Sequence, residues 1–108
     1  MVYYTYREGD QILQQLQNNN EKNYVLTSHL IGRAKIRNIN IDYVKRMLTT
    51  TEPLGVLKSR ENRFKVFYPS EHHSNIYDLI IVIAIDDDKK IIGVTTYEDY
   101  KTYREGVL

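Results

Sequence analysis

The sequence predicts an α+β domain in which two to three N-terminal helices pack on a four-stranded, mainly antiparallel sheet. Three observations lead there. Apolar residues recur at helical spacing up to Leu48, whereas from about residue 54 they alternate or run continuously, as in strands. A 108-residue chain that is 42% hydrophobic and 27% charged suits one modest core. Helices first and strands after favour two layers, with the helices over one sheet face. The whole chain, 1–108, reads as one domain, with residues 1–23 as an N-terminal extension and helix.

Taken in order, residues 2–6 alternate weakly and suit a short strand or an ordered tail. Asp10 is placed to cap a helix over residues 10–20, where Ile12, Leu13 and Leu16 share a face until the Asn18-Asn19-Asn20 run ends the signal. Thr27 or Ser28 caps a second helix reaching about Asn38, with Leu30, Ile31 and Ala34 as its apolar stripe. A turn at Asn38-Ile39-Asn40 lets Asn40 cap a third helix that buries Tyr43, Val44, Met47 and Leu48. The run Thr49-Thr50-Thr51 weakens it, and Pro53 stops it. Strands are expected over residues 54–58 and 63–68, the second with Phe64, Val66 and Tyr68 on one face and Lys65 and Phe67 on the other. Residues 69–75 read as a loop. Residues 76–85, interrupted only by Asp78, form a central strand that turns through Asp86-Asp87-Asp88 into a last strand over residues 91–97. Residues 98–104 suit a short terminal helix.

Composition excludes several classes of function. The chain has no cysteine, so a disulfide scaffold, a thiolate zinc site and a cysteine nucleophile are all ruled out. Its longest candidate for a membrane span, residues 79–85, is seven apolar residues, against the roughly 20 that a bilayer needs. The N-terminus lacks a basic start leading into an apolar core, so a cytoplasmic protein with no membrane association is expected. The formal net charge of +1 conceals an asymmetry: residues 33–65 carry +6 and the remainder −5. A separation of this kind suits an RNA backbone or an acidic partner, and equally a solvated basic face.

His29, Arg33 and Arg37 are spaced i, i+4, i+8, so on a helix they climb one side. Two guanidinium forks and an imidazole in a row suit phosphate binding and proton transfer near neutral pH. Cleavage of RNA with this residue set needs neither metal nor cofactor. A base helps the 2′-hydroxyl attack the adjacent phosphorus, a cation stabilises the charged transition state, and an acid assists the leaving oxygen. Lys58, Arg60, Arg63 and Lys65 flank a strand turn and add backbone-binding charge. Tyr97, with Tyr68 and Thr95 behind it, offers stacking or hydrogen bonding to a base. His72 and His73 beside Glu71 and Asp78 lack a third ligand at a recognised spacing, so no metal site is assigned. Asp86-Asp87-Asp88 reads as a solvated turn, and Gly32, Gly55 and Gly93 make no phosphate-binding signature.

The words TSHLIGRAKIRNINIDYVKRML, RFKVFY and DLIIVIAIDDDKKIIGVTTY resemble small microbial domains related to the RelE and BrnT type ribonuclease toxins. The resemblance covers residues 24–97, about 74 of the 108. It implies a RelE/barnase-like fold that begins with a strand leading into His29, then Arg33 and Arg37, a small turn and a second helix ending before Pro53. A glycine common before the second helix is replaced by Asn38-Ile39-Asn40, which can make the same turn. It also implies a metal-independent endoribonuclease of toxin type, with His29, Arg33 and Arg37 as catalytic residues and RNA as substrate. An antitoxin or other protein partner then masks that surface, and a homodimer stays open as a further association. Two further readings stay open: a non-catalytic nucleic-acid-binding module and a protein-interaction or inhibitor domain.

Overall fold

The computed structural model describes Ile12, Leu16 and residues 24–60, 62–72 and 76–102. Within residues 24–102, two helices pack on one face of a five-stranded sheet. In chain order the elements are β1 (Tyr24–Leu26), α1 (Ser28–Ile36), α2 (Ile41–Thr50), β2 (Gly55–Arg60), β3 (Arg63–Pro69), β4 (Tyr77–Ile85) and β5 (Ile91–Tyr100). The strands lie side by side as β1-β5-β4-β3-β2; β1 is parallel to β5 and every other pair is antiparallel. Among the described residues, no helix is long and apolar enough to cross a membrane.

The fifth strand is the main departure from the four expected. β1 is only three residues long, too short to show a period, and it finds its partner at the far end of the chain, Leu26 opposite Gly93. A second departure lies at the other terminus, where β5 continues through Glu98 and Asp99 to Tyr100 instead of giving way to a helix. The mirrored pairs Tyr77–Tyr100 and Asp78–Asp99 extend the ladder there, and the Lys101 N–H donates to the Ile76 carbonyl at 2.8 Å. Residues 101–102 are helical; 103–104 lie outside the described residues. So do residues 2–6 and most of the predicted 10–20 helix, of which Ile12 and Leu16 are helical and buried.

Local chemistry explains both helices. Thr27 is extended, and its hydroxyl accepts from the Leu30 N–H at 3.1 Å. At the other end Asn38 takes a left-handed φ of 60°, the Ile39 N–H reaches the Ala34 carbonyl at 2.8 Å, and the Asn38 N–H reaches that of Lys35. This is a Schellman closure with asparagine in the position glycine usually fills. Asn40 then caps α2 through the Asp42 N–H at 2.9 Å. The Thr49 and Thr50 hydroxyls bond back to the Lys45 and Arg46 carbonyls, so these residues stay helical, and the chain becomes extended only at Thr51.

The core lies between the helices and the sheet. Leu30 and the α2 residues Tyr43, Val44, Met47 and Leu48 meet Val56, Phe64, Val66, Tyr68, Leu79, Ile81, Ile83 and Ile91. Phe64, Val66 and Tyr68 share the face that alternation assigns them. Tyr68 is fully buried, so the base-contacting role considered for it does not apply. Ile31, placed by periodicity in the apolar stripe, is 46% exposed. Gly93 sits where α1 approaches most closely: a Cβ there would lie 2.8 Å from a Leu26 methyl and 2.9 Å from a Leu30 methyl.

A bulge in β5 sets the geometry of everything beyond it. Ile83 pairs with Gly93 but Val82 pairs with Thr95, leaving Val94 as the extra residue. Simple alternation from Ile91 would put Thr95 and Tyr97 on the helix side. The bulge shifts the phase, so Thr96 and Glu98 lie opposite Ile81 and Leu79 on that side, and Tyr97 lies opposite Ile80 on the other.

Candidate functional site

His29, Arg33 and Arg37 are all exposed along one side of α1 and its cap. At 1.5 Å per residue the row spans about 12 Å from His29 to Arg37. Its start is anchored by Thr27, whose hydroxyl donates to the Gly93 carbonyl at 2.9 Å beside the bulge. Its end is anchored by Arg37, which donates from an η nitrogen to the Thr96 carbonyl at 2.9 Å. The row therefore tracks the part of β5 that β1 leaves unpaired. Among the described residues, no carboxylate forms an ion pair with Arg33, Lys35 or Arg37.

Arg37 is the best-positioned member. Its guanidinium lies over the Tyr97 ring, 5.8 Å from the centroid, in a cation–π contact. The Thr96 bond uses one of five guanidinium N–H groups, which leaves donors for a further acceptor. Arg37, Tyr97 and Glu98 line one open recess. Glu98 also lines a second recess, with Asn38, Ile39, Tyr43, Glu71, His72 and Leu79.

Several hydrogen bonds fix the walls of that second recess. Ser70, only 1% exposed, donates from its hydroxyl to a Glu98 carboxylate oxygen at 2.7 Å. Asn40 donates its amide to Glu71 at 3.2 Å. The Tyr43 hydroxyl donates to the Pro69 carbonyl at 2.6 Å, while Arg46 covers the Tyr43 ring at 5.4 Å. Burial, then the neighbouring Glu71 charge, push the Tyr43 hydroxyl pKa upward against the opposing pull of Arg46; Glu98 adds to the rise.

A stacked aromatic pair closes this end of the sheet. The Tyr77 and Tyr100 rings are 5.0 Å apart at 28°, and both are exposed. The Tyr77 pKa is raised, first by its hydrogen bond with Tyr100 and then by the Tyr100 charge, burial and Glu98. Four of the ten tyrosines (Tyr43, Tyr77, Tyr97 and Tyr100) thus gather around the Glu98 end of β5.

The remaining cations are elsewhere. Lys58, Arg60, Arg63 and Lys65 lie on β2 and β3, across the sheet from β5. At 4.7–4.9 Å per strand, β2 is about 14 Å from β5. Their turn is also at the opposite end, since Phe64 is level with Ile83 and Gly93 while Tyr97 is level with Ile80 and Phe67. Lys65 pairs with Val82 on the face away from the helices. The hairpin and the α1 row are therefore separate basic regions.

Glu98 and Ser70 were not picked out as site residues by the sequence, and Glu71 and His72 were considered only as metal ligands. Among the described residues no three His, Asp or Glu side chains converge as a metal site. One signal was present: Tyr77-Asp78 is mirrored by Asp99-Tyr100, a pattern that cross-strand pairing produces.

A protein-family model described as the MJ0788 family matches residues 10–83, a stretch that starts ahead of β1 and stops within β4. No curated protein and no solved structure matches the chain.

Proposed function

The chain belongs to the MJ0788 family, and we propose that it is a metal-independent endoribonuclease of toxin type that cuts RNA phosphodiester bonds beside Arg37. The observation that carries this reading is the double anchoring of Arg37, on the Thr96 carbonyl and over Tyr97, at the end of an exposed row of basic side chains. A guanidinium held this way is already oriented when a phosphate arrives, which is what stabilising a phosphorane-like charge requires. His29 and Arg33 extend the row and bind flanking phosphates, while Tyr97 and the Tyr77–Tyr100 pair offer ring faces to unpaired bases. Two helices over one face of a largely antiparallel sheet also suit the RelE-like arrangement that the sequence resembles.

The test is cleavage of labelled single-stranded RNA in EDTA. The parent protein cuts, and Arg37→Ala lowers the rate on the order of 10²-fold or more with the fold intact. RNA binding that weakens steeply with salt, without cleavage, moves the function to a nucleic-acid-binding module.

Ile36, 76% exposed and one helical turn from Arg33 beside the basic row, favours a second role for the same face. An acidic protein segment with apolar side chains fits it, as an antitoxin-like partner would. Such a partner competes with RNA, and Ile36→Asp weakens its binding while leaving RNA cleavage in place.

A further inference from the structure

We infer that Glu98 and His72 are the general base and general acid of this site; the assignment rests on the ribonuclease reading above. Glu98 is the shared wall of two recesses, facing Arg37 and Tyr97 in one and His72 in the other. It is therefore a carboxylate that borders both the recess of the phosphate-binding guanidinium and that of the imidazole. The hydroxyl of the buried Ser70 donates to one of its oxygens at 2.7 Å and so fixes the orientation of the carboxylate. The bulge at Val94 makes this possible, because without the phase shift Glu98 would lie on the sheet face opposite the helices.

The other candidates around the recess are less suitably placed. The Tyr43 hydroxyl is committed to the Pro69 carbonyl. Glu71 is held by Asn40 and borders only the second recess, away from Arg37. His29 stands two helical turns from Arg37. His72 is exposed and lines the recess that Glu98 enters.

The chemistry balances with these groups alone. Glu98 takes the proton from the 2′-hydroxyl as the O2′–P bond forms. Arg37 stabilises the charge on the non-bridging oxygens. The P–O5′ bond breaks, and the His72 imidazolium gives its proton to the departing O5′. The products are a 2′,3′-cyclic phosphate and a 5′-hydroxyl, with Glu98 protonated and His72 neutral, ready to exchange protons with water.

Glu98→Gln and His72→Gln are compared with the parent on single-stranded RNA in EDTA, and on the same RNA with sulfur in place of the bridging 5′-oxygen at one linkage. Glutamine keeps an acceptor for Ser70, so the fold is retained. Both variants cut ordinary RNA about 10²–10⁴-fold more slowly than the parent, with RNA binding no weaker. A thiolate leaves without a proton, so the sulfur substrate restores His72→Gln to near the parental rate and leaves Glu98→Gln slow. A parent that cuts while either variant cuts ordinary RNA equally fast overturns the assignment alone, as does rescue of Glu98→Gln by sulfur. A parent that leaves RNA intact overturns the ribonuclease reading and the assignment together.

Discussion

The two helices differ in what their side chains do, although they are similar in length and joined by a single turn. α2 buries Tyr43, Val44, Met47 and Leu48 against the sheet and presents one strongly apolar face. α1 buries Leu30 and Ala34 and leaves His29, Ile31, Arg33, Lys35 and Ile36 in solvent. Its position comes from its ends instead: Thr27 on the β5 carbonyls, Gly93 beneath Leu30, and Arg37 on Thr96. A helix located by its termini needs few of its side chains for packing, so α1 exposes all but two of its residues Ser28–Ile36, whereas α2 gives four to the core. α2 is therefore the helix on which stability rests, and α1 is the one left to carry the proposed RNA-binding face.

Substitutions can break or sharpen that contrast. The largest effect is expected in α2, where Leu48→Ala removes a fully buried side chain and costs about 2–5 kcal/mol in urea denaturation. Ile36→Ala in α1 should stay within about 0.5 kcal/mol. A comparable loss at both positions would remove the distinction. Gly93→Ala forces the Leu26 and Leu30 methyls apart and costs about 1–3 kcal/mol. Thr27→Ala removes the α1 cap along with its bonds to β5, lowering stability by about 1 kcal/mol and the melting temperature by roughly 5 °C.

Tyr68 gives a pH test on the core side. Its hydroxyl is fully buried without a hydrogen-bond partner among the described residues, and burial raises its pKa well above the ordinary value of 10.0. The folded state therefore favours the neutral phenol. That contribution is complete below the unfolded pKa near 10 and is lost as the pH rises from there toward the raised folded value. Tyr68→Phe should match or exceed the parent by about 1 kcal/mol at neutral pH, because an unpaired hydroxyl leaves the core, and should lose less stability above pH 10. The smallest change in stability is expected for Arg33→Ala, within about 0.5 kcal/mol. Its effect appears in RNA binding, where the salt slope falls by about 1.

Much of the helical layer could be read from local chemistry. Thr27, Asn38 and Asn40 are side chains whose hydrogen bonds or left-handed tolerance act within a few residues, so the cap, the turn and the second cap were visible. The fifth strand was implied by the resemblance, as a strand leading into His29, but not by local pattern, because three residues carry no period and the partner of β1 is 67 residues away at Ile91. The Arg33–Arg37 spacing placed both side chains on one helix side, yet only the β5 edge shows that Arg37 meets Tyr97. Glu98 was hidden by the bulge: one extra residue at Val94 exchanges the faces of everything after it, and alternation read from the sequence has no access to that shift. The hairpin cations were expected to support the same site, but strand order puts them on β2 and β3, with β4 between them and β5.

The most direct test of the central claim uses one RNA oligonucleotide, incubated with the parent protein in EDTA, beside a copy whose nucleotides are 2′-deoxy. The RNA is expected to be cut to fragments ending in 2′,3′-cyclic phosphate, and the deoxy copy to remain whole. Cutting that needs a divalent cation, or equal cutting of both strands, would contradict the claim.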